Sequence, residues 1–454
     1  MTGRLIAATH SGAGKTTATG VVLRALTDRG LSVQAFKHGP DFIDPGYHRE
    51  ITGTPSINLD LELMDADGIR DSFARWSAGA DVSIVESMGA LYDGTDGTER
   101  GSPAALAKLL DLPVLLIIDV WGMTRTAAAI LDGMINFDPD VRIEGCILNR
   151  VGSAGHAQMI MDSLPERLRR LVIGHIVHQP DLEVEERHLG LLTVEENPTA
   201  TTRRATAQRS AGRELDLSSL LPAVTPRRPA TRTPSVGMRE PTARLGIARD
   251  AAFCFSYEEN LATLQQAGFE LVPFSPIDDP QLPADLDAIW LGGGYPESFA
   301  AALAGNVALA DDLRKAANAG VPIHAECGGM LYLARSLTGF DGVRHPMVGL
   351  LPIDVIMDRG FLAIGYATGH TLHPSALGPP GTAVRGQQFH QSRIESADLT
   401  PNLFRVTDTT GATTTVGYRL GSVTASYLHL HFARTPAIAP ALHRAAVSGQ
   451  SRSG

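Results

Sequence analysis

The sequence predicts an α/β fold built as two doubly wound domains with mainly parallel sheets. Three observations carry that prediction. Short apolar runs alternate with helical stretches in both halves of the chain, several of those runs end in glycine-rich turns, and one polar segment, 195–241, separates the halves. Apolar strands separated by helices imply right-handed βαβ units, and strands covered on both faces are apolar throughout. In such sheets ligands bind beyond the carboxyl ends of the strands.

Size and charge agree with this. A chain of 454 residues holds about three ordinary domains or two large ones. Hydrophobic residues make up 43% and charged ones 19%, a composition that builds cores and excludes bulk disorder. Thirty-nine basic against 49 acidic residues leave a formal charge of −10, which argues against a main role in gripping nucleic-acid phosphates. The longest apolar run, Leu112 to Val120, contains Pro113 and Asp119 and reads as a buried strand rather than a membrane span. The first residues carry too short an apolar run for a signal segment. Three scattered cysteines, Cys146, Cys254 and Cys327, make no disulfide framework and suit a reducing compartment. The expected location is the cytoplasm, with no membrane and no nucleic-acid partner.

In chain order, strands are expected at 4–8, 32–36, 82–86, 114–119 and 143–148, with helices at 16–29 and 103–110. The pattern restarts with strands at 244–248, 271–273, 288–291 and 322–325 and a helix at 258–266. The domains are accordingly 1–194 and 242–446, joined by a linker, 195–241, and followed by a tail, 447–454. From 203 to 241 there are eight arginines against three acids among many Thr, Pro and Ser, the composition of a solvated linker with one short helix at 215–221. A basic arm for an anion is the rival reading.

The first strand runs into Ser11, Gly12, Ala13, Gly14, Lys15, Thr16 and Thr17 at the start of a helix. Glycines let backbone N–H groups wrap phosphate oxygens, the lysine reaches the β/γ phosphates, and the threonine hydroxyl ligates Mg²⁺. Thr9 stands where this motif usually starts with glycine. The second strand leads to Lys37, His38, Asp41 and Asp44, two carboxylates that either hold Mg²⁺, steer an acid substrate, or serve only the turn. The third ends at Glu86, a second metal anchor beside such a loop. The strand ending at Asn149 places that amide near a purine, unless it merely caps the strand.

In the second half an apolar strand runs through Cys327 into Gly328 and Gly329 and then a helix. This is a nucleophile elbow, in which the helix dipole is expected to lower the thiol pKa. Upstream, Gly293 and Gly294 follow another strand, and their N–H groups are candidates for an oxyanion hole. Downstream, His429 and His431 lie two apart, on one face of a strand, and one of them is expected to accept the thiol proton. A metal pair lacks an obvious third ligand, and His390 is a further candidate of undefined role.

Over nearly its whole length the chain resembles the cobyrinic acid a,c-diamide synthases. The stretches that carry the resemblance are SGAGKTT, FKHGPDFIDPGYH, NLD, LYDG, ILNRVGS, ERHLGL, ARDAAFCF, LVPFSP, LGGGYPE, AECGGMLYL and SYLHLHF, in the family's order. The resemblance implies a P-loop NTPase-like, dethiobiotin-synthetase-like domain fused to a class I glutamine amidotransferase-like domain. It implies that Cys327 attacks the amide of L-glutamine with His429 as base, and that His431 stands where many such enzymes have a glutamate. ATP with Mg²⁺, held by Thr16, Asp41 and Glu86, would phosphorylate a carboxylic acid that ammonia then converts to an amide. Lys37, His38, Asp41, Asp44, Tyr92 and Asp93 would form the substrate loops, the acid being a corrin or related tetrapyrrole and the enzyme a homo-oligomer. Four departures bear on the acid: Ala8 for a glycine, His38 for a small apolar residue, residues 87–90 for Gly-Val-Met-Gly, and Gln387-Gln388 for a His-Glu pair. The same chemistry on another acid, a P-loop ATPase working through a protein partner, and a non-catalytic assembly protein are the other readings.

Overall fold

The computed structural model describes residues 3–183, 198–218 and 240–450. The chain divides into two compact units, Met1–Pro234 and Ser235–Gly454.

The first unit holds strands β1 (Gly3–Ala8), β2 (Val33–His38), β3 (Ile57–Leu59), β4 (Val82–Glu86), β5 (Val114–Asp119), β6 (Ile143–Val151) and β7 (Val172–Val177). Between and after them lie α1 (Lys15–Thr27), α2 (Ile43–Thr52), α3 (Ala66–Ser77), α4 (Pro103–Leu109), α5 (Thr126–Phe137), α6 (Ala154–Ser163), α7 (Glu166–Arg169) and α8 (Pro198–Gly212). The sheet is parallel, in the order β3-β2-β4-β1-β5-β6-β7. Local chemistry starts several helices: Asp65 accepts the Gly68 N–H at the head of α3, and Ser102 accepts that of Ala105 just before Pro103 in α4. Both are favoured caps, and proline is tolerated where no N–H is needed. Because β2, β4 and β1 are neighbours, the loops leaving their carboxyl ends meet at one edge of the sheet.

Helix α8 departs from the expected linker. Its residues Ala207 and Ala211, with Leu215 and Leu217 beyond it, are buried in the same core as Val21, Leu23 and Leu26 of α1. Small apolar side chains among the arginines supply a packing face that the Arg/Thr composition hides. The short helix expected at 215–221 is not formed at its start, where Leu215 makes an antiparallel bridge with Gly174; its end lies outside the described residues, as does ERHLGL.

In the second unit come β8 (Ala243–Ala248), β9 (Phe269–Phe274), β10 (Ala288–Leu291), β11 (Ile323–Glu326), β12 (Ser336–Thr338), β13 (Arg344–Pro346), β14 (Ile353–Met357) and β15 (Ala363–Thr371). They are followed by β16 (Ala383–His390), β17 (Ser392–Ala397), β18 (Phe404–Asp408), β19 (Thr413–Val416), β20 (Tyr418–Leu420), β21 (Val423–Ser426) and β22 (His429–Leu430). Its helices are α9 (Glu258–Gln266), α10 (Ala300–Gly305), α11 (Val307–Asn318), α12 (Gly328–Leu333) and α13 (Ile438–Gln450). The main sheet runs β20-β21-β11-β10-β8-β9, with only β20 antiparallel. A four-stranded and a five-stranded sheet, with largely antiparallel pairing, add to this α/β core. Two apolar clusters fill the unit. No helix among the described residues is long and apolar enough to cross a membrane.

Candidate active site

Each unit gathers one cluster of chemical groups at the carboxyl ends of its parallel strands. In the first unit, Gly12 and Gly14 take φ of 81° and 82°, the left-handed region that favours glycine. A Cβ on Gly14 would lie 2.2 Å from Asn149 Nδ2. Asn149, expected beside a purine, donates that amide to the Ala13 carbonyl at 2.8 Å and so braces the loop from below. Lys15 is buried and donates to the His10 carbonyl at 3.4 Å; burial and neighbouring Lys37 lower its pKa.

Parallel register sets Lys37 on β2 directly beside Glu86 on β4. The Lys37 ammonium, fully buried, contacts the Asp44 carboxylate, lies 3.2 Å from Glu86 Oε1 and 3.6 Å from Asp41 Oδ2. Burial alone would push Lys37 down, but Asp44 and Glu86 outweigh it and hold the pKa raised. Burial works the other way on Glu86, where Lys37 and a 2.7 Å hydrogen bond from His48 Nε2 overcome it and keep the carboxylate well below its usual range. Asp44, buried next to Glu86, is pushed well up. The Thr16 hydroxyl lies 3.1 Å from both Asp44 Oδ1 and Glu86 Oε1. Asp44 therefore reaches Thr16 where Asp41 was expected to, because Asp41 Oδ1 accepts the Ile43 N–H at 2.7 Å in the turn that opens α2.

Lys15, Thr16, Lys37, Asp41, Asp44 and Glu86 line a cavity of about 720 Å³, together with Ser11, Thr17, Met88 and, from α8, Arg203 and Arg204, while His48 and Asn149 stand behind them. The donor set fits ATP and Mg²⁺: a glycine cradle, a lysine, and hard oxygen ligands, in a wall where five carboxylates (Asp41, Asp44, Glu86, Asp181, Glu183) face five cations (Lys15, Lys37, Arg150, Arg203, Arg204). Three expected substrate-loop residues are absent from the wall. His38 is buried and accepts the Met88 N–H, and burial, then Lys37, lowers its pKa to about 4. Tyr92 donates its hydroxyl to the Met134 carbonyl at 2.7 Å and rests its ring on Phe137, and Asp93 is exposed. Sequence reasoning missed His48 and had the two α8 arginines only under its rival reading of a basic arm for an anion. His48 lies in a quoted motif and was readable there; the arginines reach the cavity only through tertiary packing.

In the second unit, β10, β11 and β21 are neighbours, and the loops after them bring Cys327, Gly293 and His429 together. Cys327 has φ 45° and ψ −105°, a strained conformation for a residue with a Cβ, and its N–H donates to the Ser426 carbonyl at 2.7 Å. The approach of the loops leaves no room for side chains: a Cβ on Gly293 would lie 2.1 Å from His429 Cε1, and one on Gly329 2.3 Å from the Leu291 carbonyl. The Gly293 N–H, expected in the oxyanion hole, donates to Phe255 in an antiparallel bridge. The Gly294 N–H has no acceptor among the described residues.

The elbow does not lower the thiol pKa. Burial, and then Glu297, pushes Cys327 up to about 12 against the single N–H of Gly328. Burial also takes His429 down to about 3, with His390 adding to it. Both partners are thus neutral at rest, and the imidazole is free of a proton it would need to shed first. His431 lies away from Gly293, edge-on to Tyr257, with Nδ1 accepting the Ala433 N–H at 3.3 Å; burial lowers it to about 4. The strand expected to carry both histidines on one face is only β22, His429–Leu430, and ends before His431. His390 stacks on Tyr427 with ring centroids 3.6 Å apart and donates to the Ser392 carbonyl. Cys146 is fully buried, its thiol raised to about 12 by burial.

Comparisons with known proteins give the family. A family described as the CobQ/CobB/MinD/ParA nucleotide binding domain matches residues 5–192, and the CobB/CobQ-like glutamine amidotransferase domain matches residues 244–437. Three relatives bear the name cobyrinate a,c-diamide synthase. The protein from Synechocystis sp. is 40% identical over 94% of this chain and 90% of its own. Those from Syntrophotalea carbinolica and Caldanaerobacter subterraneus are 38% and 37% identical, over 96% and 86% of this chain and 97% and 86% of their own. The chain belongs to the cobyrinate a,c-diamide synthase family, ligases that form amides with nitrogen taken from glutamine.

Proposed function

We propose that this protein uses ATP and glutamine to convert the a and c acetate side chains of cobyrinic or hydrogenobyrinic acid to amides through acyl phosphates. The observation that carries the reading is the strained Cys327 elbow with His429 packed on the glycine loop, for which a P-loop ATPase acting through a protein partner has no use. Cys327 Sγ attacks the side-chain carbonyl carbon of glutamine as His429 takes the thiol proton. His429 then gives that proton to the departing nitrogen, and ammonia leaves behind a glutamyl thioester, which water hydrolyses to glutamate with His429 again as base. The Gly294 N–H, which has no acceptor among the described residues, would hold the oxyanion.

In the first unit a carboxylate oxygen of the acid attacks the γ-phosphorus, ADP departs, and ammonia displaces phosphate from the acyl carbon to leave the amide. Lys15 and the loop N–H groups grip the phosphates. Mg²⁺ held by Thr16, Asp44 and Glu86 would supply neutralisation of the triphosphate charge. Lys37 keeps Glu86 ionised for that task.

The test is a pair of variants assayed for glutamine hydrolysis and for amide formation on cobyrinic acid. Cys327→Ser should lose both glutamine-dependent activities and keep amidation from added ammonium. Lys15→Ala should lose amidation from either nitrogen source and keep glutamine hydrolysis. Glutamine hydrolysis by Cys327→Ser, or full amidation by Lys15→Ala, would overturn the assignment.

A further inference from the structure

Helix α8 lies in the stretch whose composition reads as linker, yet it forms part of the nucleotide cavity. Arg204, Ala207, Gln208 and Ala211 are buried, the i, i+3, i+4, i+7 spacing of one helix face. That face is fitted to α1: a Cβ on Gly20 would lie 2.4 Å from Gln208 Nε2, and one on Gly212 would lie 3.0 Å from Ala25 Cβ. Arg204 is fixed over the Tyr47 ring, 4.9 Å from its centroid, and donates to the Glu183 carbonyl. The Thr17 hydroxyl donates to the Leu182 carbonyl at 3.3 Å, tying the segment ahead of α8 to the P-loop helix. The fold therefore sets the position of Arg203, one residue from that anchor.

Arg203 itself is exposed and lines the same cavity as Lys15 and Thr16. Among the described residues it makes no ion pair or hydrogen bond, although the carboxylates of Asp181 and Glu183 line the same cavity. Arg209 on the same helix, by contrast, is paired with Asp28 at 3.2 Å. A guanidinium that packing places in the cavity of Lys15 and Thr16 and that pairs with neither carboxylate there is available to an anion, and its planar fork suits phosphate oxygens better than an ammonium does.

We infer that Arg203 contacts the phosphates of bound ATP, as a second cation beside Lys15, so that α8 is a working wall of the nucleotide site. This rests on the ATP reading of the cavity. The test is equilibrium binding of ATP with Mg²⁺ to the full chain, by calorimetric titration, for the wild type and three variants. Arg203→Ala should weaken ATP about tenfold or more, and Arg203→Lys should recover part of the loss, keeping the charge without the fork. Arg209→Ala removes the same charge from the same helix outside the cavity and should change the affinity by less than about twofold. An equal affinity in wild type and Arg203→Ala would overturn this inference alone, as would an equal loss in Arg209→Ala, which marks a net-charge effect. A wild type that takes up no ATP overturns the nucleotide reading itself and the inference with it.

Discussion

At Lys37 two buried carboxylates, Asp44 and Glu86, and the half-buried Asp41 surround one buried ammonium, and the balance among them sets both stability and the charge offered to a nucleotide. Glu86 is held ionised by Lys37 and His48. A carboxylate with a depressed folded pKa contributes stability that is present above its unfolded value and lost as pH falls through the folded one. Glu86→Gln should therefore cost about 3 kcal/mol at pH 7, because it leaves Lys37 and His48 short of a partner, and clearly less near pH 3. Urea unfolding of both proteins at the two pH values measures this. A second residue-scale expectation concerns the thiol. With Cys327 raised to about 12 and His429 lowered to about 3, alkylation of Cys327 by iodoacetamide should rise about tenfold per pH unit between roughly pH 7 and 9. A plateau below pH 7 would reveal a resting thiolate–imidazolium pair and contradict the neutral one.

Among elements, the turns after the parallel strands matter most, and they demand glycine because backbones and rings approach too closely for a Cβ. Gly293→Ala would drive a methyl into His429, so glutamine hydrolysis should fall about a hundredfold, the penalty for displacing a general base, while ammonium still supports amidation. Equal hydrolysis in the variant would mean that His429 is not the base. This level was also the most legible in sequence. β4, β5, β10 and α9 occupy the expected residues; Pro113 ahead of β5 and Gly292 after β10 fix two of these boundaries locally. The additional sheets of the second unit were missed, because their strands alternate weakly and carry exposed polar residues such as those of β17 and β19. Helix α8 was missed for a related reason: its burial rests on two alanines and a glutamine, which no hydrophobic pattern announces. At the sites, the P-loop and the Cys327 elbow could be read directly, whereas the Lys37–Glu86 pair depends on strand register and the roles of Asn149, Tyr92 and His38 on where neighbouring loops fold.

For the molecule as a whole, two compact units each carry a sheet, a core and a distinct chemistry at the strand ends. One unit offers a cavity of balanced charge around the P-loop, the other a buried, neutral thiol–imidazole pair. Neither chemistry alone makes an amide from glutamine, and their presence in one chain of this family is what joins them. The most direct test of this account is mass spectrometry of the product formed from ATP, glutamine and cobyrinic acid by the wild-type protein. The account predicts a product with two new amide groups, dependent on ATP and absent with Cys327→Ser unless ammonium is added. Glutamine hydrolysis without any amide on this or a related tetrapyrrole acid would contradict it.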